Sequence, residues 1–116
     1  MVFRLSEIYM IKAESAAHLN DLASAQLAVN TIRRRAGLND LSSNLLKPAL
    51  LDAILQERQK EFVGEWGHRW FDLKRLSLIT GVLSTEKPSF KSSAQWFPIP
   101  VSQINLNQNL IQNEGY

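Results

Sequence analysis

Three glutamates, Glu57, Glu61 and Glu65, recur every fourth residue in the stretch ERQKEFVGEWGHRWFDLKR, and a helix would stack them along one face. Two carboxylates one helical turn apart fall within the roughly 5–10 Å at which glycosidases pair an acid with a base or nucleophile. That chemistry requires one of the two to hold its proton near neutral pH, in apolar surroundings. The chain offers the reverse. Arg58, Arg69 and Arg75 share the stretch with Asp72, while Arg33 and Arg35 flank the apolar stripe of the preceding helical segment. Nearby guanidinium groups keep carboxylates ionised. The residue types therefore predict a charge network of Arg33, Arg35, Glu57, Arg58, Glu61, Glu65, Arg69, Asp72 and Arg75 that fixes how helices dock, and no catalytic residue.

The elements that must position this network are helical. Advancing about 100° per residue from Leu50, Ile54, Leu51, Phe62, Leu55 and Trp66 form one apolar arc, with Asp52, Gln56, Gln59 and Lys60 opposite. Arg58, Glu61 and Glu65 fall inside that arc. Charge and ring surface do not separate, and carboxylates on a buried face persist only when paired. This third helix is expected from about Lys47, with Pro48 in its first turn, to about Trp66, where Gly67 breaks it. Trp66 and Trp70 read as core residues.

Upstream, Leu5, Ile8, Tyr9, Ala13 and Ala16 recur at helical spacing over about Val2 to Leu19, and Leu22, Ala25, Val29, Ile32 and Ala36 form a second stripe. Asp21 is placed to cap the second helix and Gly37 to end it. The two form a hairpin near the pattern of one tetratricopeptide unit, which cannot bury its own outer face and needs neighbours. A polar loop at about 39–44 follows. A short fourth helix, about His68 to Leu78, precedes a loop from Gly81 to Gln95 and a tail that Pro98 and Pro100 hold extended. The expected fold is all-α with almost no strand: a tetratricopeptide-like hairpin, two further helices and an irregular C-terminal tail, in one domain over 1–116.

Composition narrows the function. Among 116 residues the formal charge is +2, with acids and bases interspersed, so the pI near 9.2 reflects a small surplus rather than a nucleic-acid-binding field. No cysteine is present, which removes disulfides, thiolate metal sites and a cysteine nucleophile. His18 and His68 stand apart, without HExxH, so no metal site is expected, and no phosphate loop or GxSxG elbow points to a cofactor or hydrolase. MVFRLSEIYM has no signal-peptide organisation; it enters a helical pattern at once, as part of a longer protein would. Trp96, beside the extended tail, reads first as a pin that holds that tail to the helices; it and Phe90, in the 81–95 loop, are also the candidate ligand-binding residues, since flat apolar rings suit the C–H face of a sugar and loops carry function.

Four blocks in order, RLSEIYMIKAES, AVNTIRRRAGL, ILQERQKEFVGEWGHRWFDLKR and WFPIPVSQINLNQNLIQNEGY, resemble the C-terminal blocks of the SusD/RagB family of Bacteroidetes outer-membrane lipoproteins. The resemblance spans nearly the whole chain. Its most specific parts are Arg33 and Arg35 before Ala36 and Gly37, the glutamate set with Arg69, Asp72, Leu73 and Arg75, and the terminal Gln112, Asn113, Gly115 and Tyr116. It implies an all-helical protein at the outer face of the cell's outer membrane, anchored by a lipid on an N-terminal portion not in this chain. It also implies a SusC-type TonB-dependent transporter as partner and a glycan or other nutrient bound without cleavage. No glycan-binding residue carries over, because ligand contacts in the family come largely from loops outside these blocks. The alternatives are a tetratricopeptide-like protein-interaction module with no carbohydrate role and, third, a glycoside-processing enzyme.

Overall fold

The computed structural model describes residues 4–116. Every regular element among them is helical: α1 Leu5–His18, α2 Leu22–Arg35, α3 Lys47–Glu61, α4 His68–Arg75, α5 Ile79–Glu86, one 3₁₀ turn Ser92–Gln95 and α6 Val101–Leu106. Val2, where the sequence places the start of the first helix, lies outside the described residues. The chain divides into two compact units, one up to Arg69 and the other from Trp70 onward.

In the first unit α1 and α2 pack on each other and α3 packs on both. Their core is Met10, Ala13 and Ala17 from α1, Ala25, Ala28, Val29 and Ile32 from α2, Leu50 and Ile54 from α3, and Phe62 just beyond it. Five of these ten are alanine or valine, so the α1 and α2 backbones approach closely. The buried face of α1 is Ser6, Met10, Ala13 and Ala17, rotated from the stripe its larger apolar residues suggest. Leu5 and Ile8, expected inside, are 72% and 54% exposed. Small residues won the contact because they let the α2 backbone in, and the bulky aliphatics were left on the outer face.

Helix ends follow local chemistry. The Asp21 carboxylate accepts from the Ser24 N–H at 3.1 Å and caps α2. α1, α2 and α4 all close with the paired carbonyl contacts of a Schellman motif, with Asn20, Gly37 and Ser77 at positive φ. α2 also pins the polar loop that follows it. Gln26 Nε2 donates to the Ser42 carbonyl, the Leu41 N–H donates to the buried Asn30 Oδ1, and Arg33 Nε donates to the Asn39 carbonyl at 2.8 Å.

α3 stops at Glu61, not at Trp66. Gly64 takes φ 73°, and in the next turn Trp66 at φ 44° and Gly67 at φ 73° put positive φ at both central positions, a geometry that glycine accepts freely and tryptophan resists. The helical projection therefore ends before Trp66, which is 68% exposed and not a core residue.

In the second unit Leu73 and Ile79 are buried and Trp70 is half-buried, its ring 5.5 Å from that of Phe97. The expected 81–95 loop holds most of α5 and the 3₁₀ turn, and the tail contains α6. Thr80 and Gly81 carbonyls accept from the Ser84 and Thr85 hydroxyls, so residues read as loop formers here satisfy a helix from within.

Candidate functional site

The charged residues of α3 occupy its buried face. Leu50 and Ile54 hold the N-terminal half of that face, while Glu57 and Arg58 are buried in the C-terminal half, so the face changes from apolar to ionic along one helix. Its centre lies nearer Glu57 and Glu61 than the arc through Leu51 and Leu55 would place it.

Cations arrive from two directions. Arg33 Nη1 on α2 donates to Glu57 Oε2 at 2.6 Å, with the two side chains only 17% and 6% exposed. Arg35 Nη2 donates to Glu61 Oε2 at 2.5 Å. From the start of α1, Arg4 Nε donates to Glu65 Oε2 at 3.0 Å and its Nη2 donates to the Glu61 carbonyl at 2.9 Å, satisfying an orphan carbonyl at the end of α3. Arg4 Nη1 also lies 3.2 Å from Glu61 Oε1. Both the Arg4 and Arg58 guanidiniums stand over the Phe62 ring, at 5.2 and 5.4 Å from its centroid, and the His68 ring lies 4.6 Å from it. Rings and charges thus share one face because the ring is itself an acceptor for the cations.

Burial pushes the Glu61 carboxyl up, but the Arg35 hydrogen bond leads the opposing contributions and the charges of Arg35 and Arg4 add to it, so the group is held below its ordinary value of 4.5. The Ser6 hydroxyl contributes in the same direction. Since neither Ser6 Oγ nor Glu61 Oε1 has a well-aligned hydrogen bond, the guanidiniums carry the larger share. A carboxylate held ionised in this way is a poor proton donor.

Of the remaining sequence candidates, Arg75 Nε donates to the buried Asp72 Oδ1 at 2.9 Å within the second unit, and Arg69 takes no part in the ion pairs above. Arg4 is the network member that sequence reasoning missed. The usable signal was that three stacked glutamates exceed the cations α2 could deliver.

The second unit carries the candidate ligand surface. Trp96 follows the 3₁₀ turn and remains 56% exposed, with Lys74 Nζ 4.6 Å from its ring centroid. Trp96 lines a cleft of about 380 Å³ with Ser92, Ser93, Gln95, Glu114 and Gly115. Phe90 is half-buried in the turn after α5, its N–H donating to the Lys87 carbonyl, and is not part of the cleft wall.

The terminal residues build the other wall. Pro98 and Pro100 have no N–H, so Ile99 offers the one amide donor of that segment. The Gln112 carboxamide takes both its groups: the Ile99 N–H donates to Oε1 at 2.8 Å and Nε2 donates to the Ile99 carbonyl at 3.0 Å. Asn113 Nδ2 donates to the Phe97 carbonyl at 2.7 Å. Gly115, at φ 95°, then passes so close to Ser93 that a Cβ would fall 2.5 Å from the Ser93 Cβ.

The model of the SusD family (SusD_RagB) matches residues 1–116. The chain is 33% identical to the starch-binding protein SusD of Bacteroides thetaiotaomicron, over 99% of this chain and 21% of that protein. It is 31% identical to SusD-like protein P2 of Formosa agariphila, over 97% of this chain and 25% of the relative. A crystal structure of a SusD superfamily protein from Bacteroides vulgatus superimposes with a TM-score of 0.85 at 27% identity, covering 99% of this chain and 27% of the other. The chain thus spans about a quarter of the length of the relatives it matches.

Proposed function

Because the chain belongs to the SusD family, we propose that it forms the C-terminal region of a cell-surface protein that binds glycans without cleaving them. In this reading residues 1–116 act as one scaffold region of a longer protein. That protein sits at the extracellular face of the outer membrane, held by an upstream lipid anchor, and passes oligosaccharide to a SusC-type TonB-dependent transporter. The observation that carries the proposal is the family match along every residue, supported by a 33% identical relative named for starch binding. No described helix is long and apolar enough to cross a membrane.

The network supports the non-enzymatic part. Glu61 and Glu65 are both engaged by Arg4, and Glu61, paired with Arg35 as well, is not set up to give up a proton to a glycosidic oxygen. A second reading, a tetratricopeptide-like protein-interaction module, draws on the exposed Leu5, Ile8 and Ile11 of α1, an apolar face that suits another helix pair.

The deciding experiment purifies the full-length protein from membranes, with any transporter that accompanies it, and titrates it with neutral oligosaccharides while assaying reducing-sugar release. Binding without release is the expected result. A stable transporter complex with no affinity for any sugar would favour the interaction module, and sugar release abolished by Glu61→Gln would favour the enzyme.

A further inference from the structure

We infer that the cleft beside Trp96 is a saccharide subsite selective for uncharged sugars, an inference that rests on the glycan-binding function proposed above. Its volume of about 380 Å³ is at the small end of ligand pockets, which run from about 300 to 1,000 Å³, and so suits one or two sugar rings rather than a long chain. The wall chemistry fits that occupant. An indole offers a flat apolar surface with a polar edge, matching the C–H face of a pyranose. Lys74 stands over the Trp96 ring, and the residue as a whole is still 56% exposed. The cleft is also lined by Ser92, Ser93, Gln95 and Glu114, whose side-chain types supply hydroxyls and an amide that donate and accept and a carboxylate that accepts. A sugar hydroxyl needs this mixture, being donor and acceptor at once.

The selectivity comes from Glu114. A carboxylate in the wall accepts from neutral hydroxyls but repels a uronate or sulfate ester brought to the same place. The nearby cation, Lys74, has its ammonium group directed to the indole. The cleft is also built rather than incidental. Gly115 can lie against Ser93 only without a side chain, and the Gln112 and Asn113 side chains bind the tail to the Phe97–Ile99 backbone, so both walls are fixed before any ligand arrives.

The test uses the full-length protein, with maltoheptaose, cellohexaose and mannohexaose as neutral probes and an oligogalacturonate as the charged one, each titrated calorimetrically. The inference expects Trp96→Ala to weaken the best neutral probe about tenfold or more, Trp96→Phe to keep part of that affinity, and the melting temperature to stay unchanged. Glu114→Gln, at an exposed position, is expected to narrow the preference for neutral over charged probes. If a neutral probe binds the parent protein and Trp96→Ala leaves its affinity within about twofold, or if Glu114→Gln leaves the neutral-over-charged preference unchanged, the subsite is wrong while the glycan-binding function stands. If none of the neutral probes binds the parent protein while the oligogalacturonate does, the subsite is wrong and the glycan-binding function stands; if no sugar binds it at all, the proposed function fails and the subsite with it.

Discussion

Removing one partner of the Arg33–Glu57 pair isolates what the ionic end of the α3 face contributes. Both side chains are largely out of water, at 17% and 6% exposure, and they meet at 2.6 Å. Arg33→Met leaves the Glu57 carboxylate buried without its cation, and stranding a buried charge costs about 3 kcal/mol. Glu57→Leu strands the guanidinium instead. Arg33 keeps its Nε bond to the Asn39 carbonyl and a path to solvent, so the cost is smaller, about 2 kcal/mol. The double variant strands neither charge. It loses the Asn39 bond, about 1 kcal/mol, plus some imperfect packing, for a total of about 2 kcal/mol. The coupling between the two sites is then about 3 kcal/mol, near the upper end of pairwise values. Urea unfolding followed by circular dichroism measures it: with a slope of about 1.5 kcal/mol/M, Arg33→Met shifts the midpoint by about 2 M. If the single variants each stay within about 0.5 kcal/mol of the parent, or if the double variant equals the sum of the singles, the pair does not fix α2 on α3 and the explanation of the buried charges is wrong.

Further outcomes are expected on the same footing. Glu61 has a folded-state pKa below its ordinary 4.5, through Arg35 and Arg4, so its stabilisation is full above that value and is lost as pH falls through the folded pKa; thermal melts should decline below about pH 4.5, and less steeply in Glu61→Gln. Asp21 and Asp40 are lowered too, by Ser24 and Arg34 respectively, so some of the acid decline should survive that substitution. Ser77 holds φ 57° at the end of α4, and Ser77→Gly should raise stability by about 1 kcal/mol in the same urea titration. Gly115→Ala meets both a positive φ and Ser93; it should loosen the last residues by about 1–2 kcal/mol, seen as faster amide exchange at Ile99, with Ser93→Gly restoring the steric share only.

The elements that could be read from sequence are those whose signals are local. Asp21 capping α2, the α2 stripe of Ala25, Val29 and Ile32, and Pro48 opening α3 each depend on neighbours within one turn. The α1 face was misjudged because the decision was not local: hydrophobicity favoured Leu5 and Ile8, but the close approach of α2 favoured Ala13 and Ala17. Trp66 fell on the apolar arc only while the helix was extended through Gly64, whose positive φ ends it. The stretch from Gly81 to Gln95 and the tail after it read as irregular because serine, threonine, glycine and asparagine lower helix propensity, an average preference that hydroxyl bonds to carbonyls one turn back overrode in α5. Trp96 could be singled out by type and position, but the partners that make its cleft, Glu114 and Gly115, lie far along the chain, where no spacing rule reaches.

The amide clasp of Gln112 on Ile99 bears on how the protein avoids sticking to copies of itself. An extended segment with free backbone groups is a template on which another chain can build a strand. Between Phe97 and Val101 two prolines remove donors, and one carboxamide consumes both groups of the residue between them. Trp96 at φ −108°, ψ 125° and Pro100 at φ −55°, ψ 134° bracket the segment with extended backbone, and its Ile99 sockets are already filled. That arrangement keeps an apolar strip from zipping to another copy of the chain.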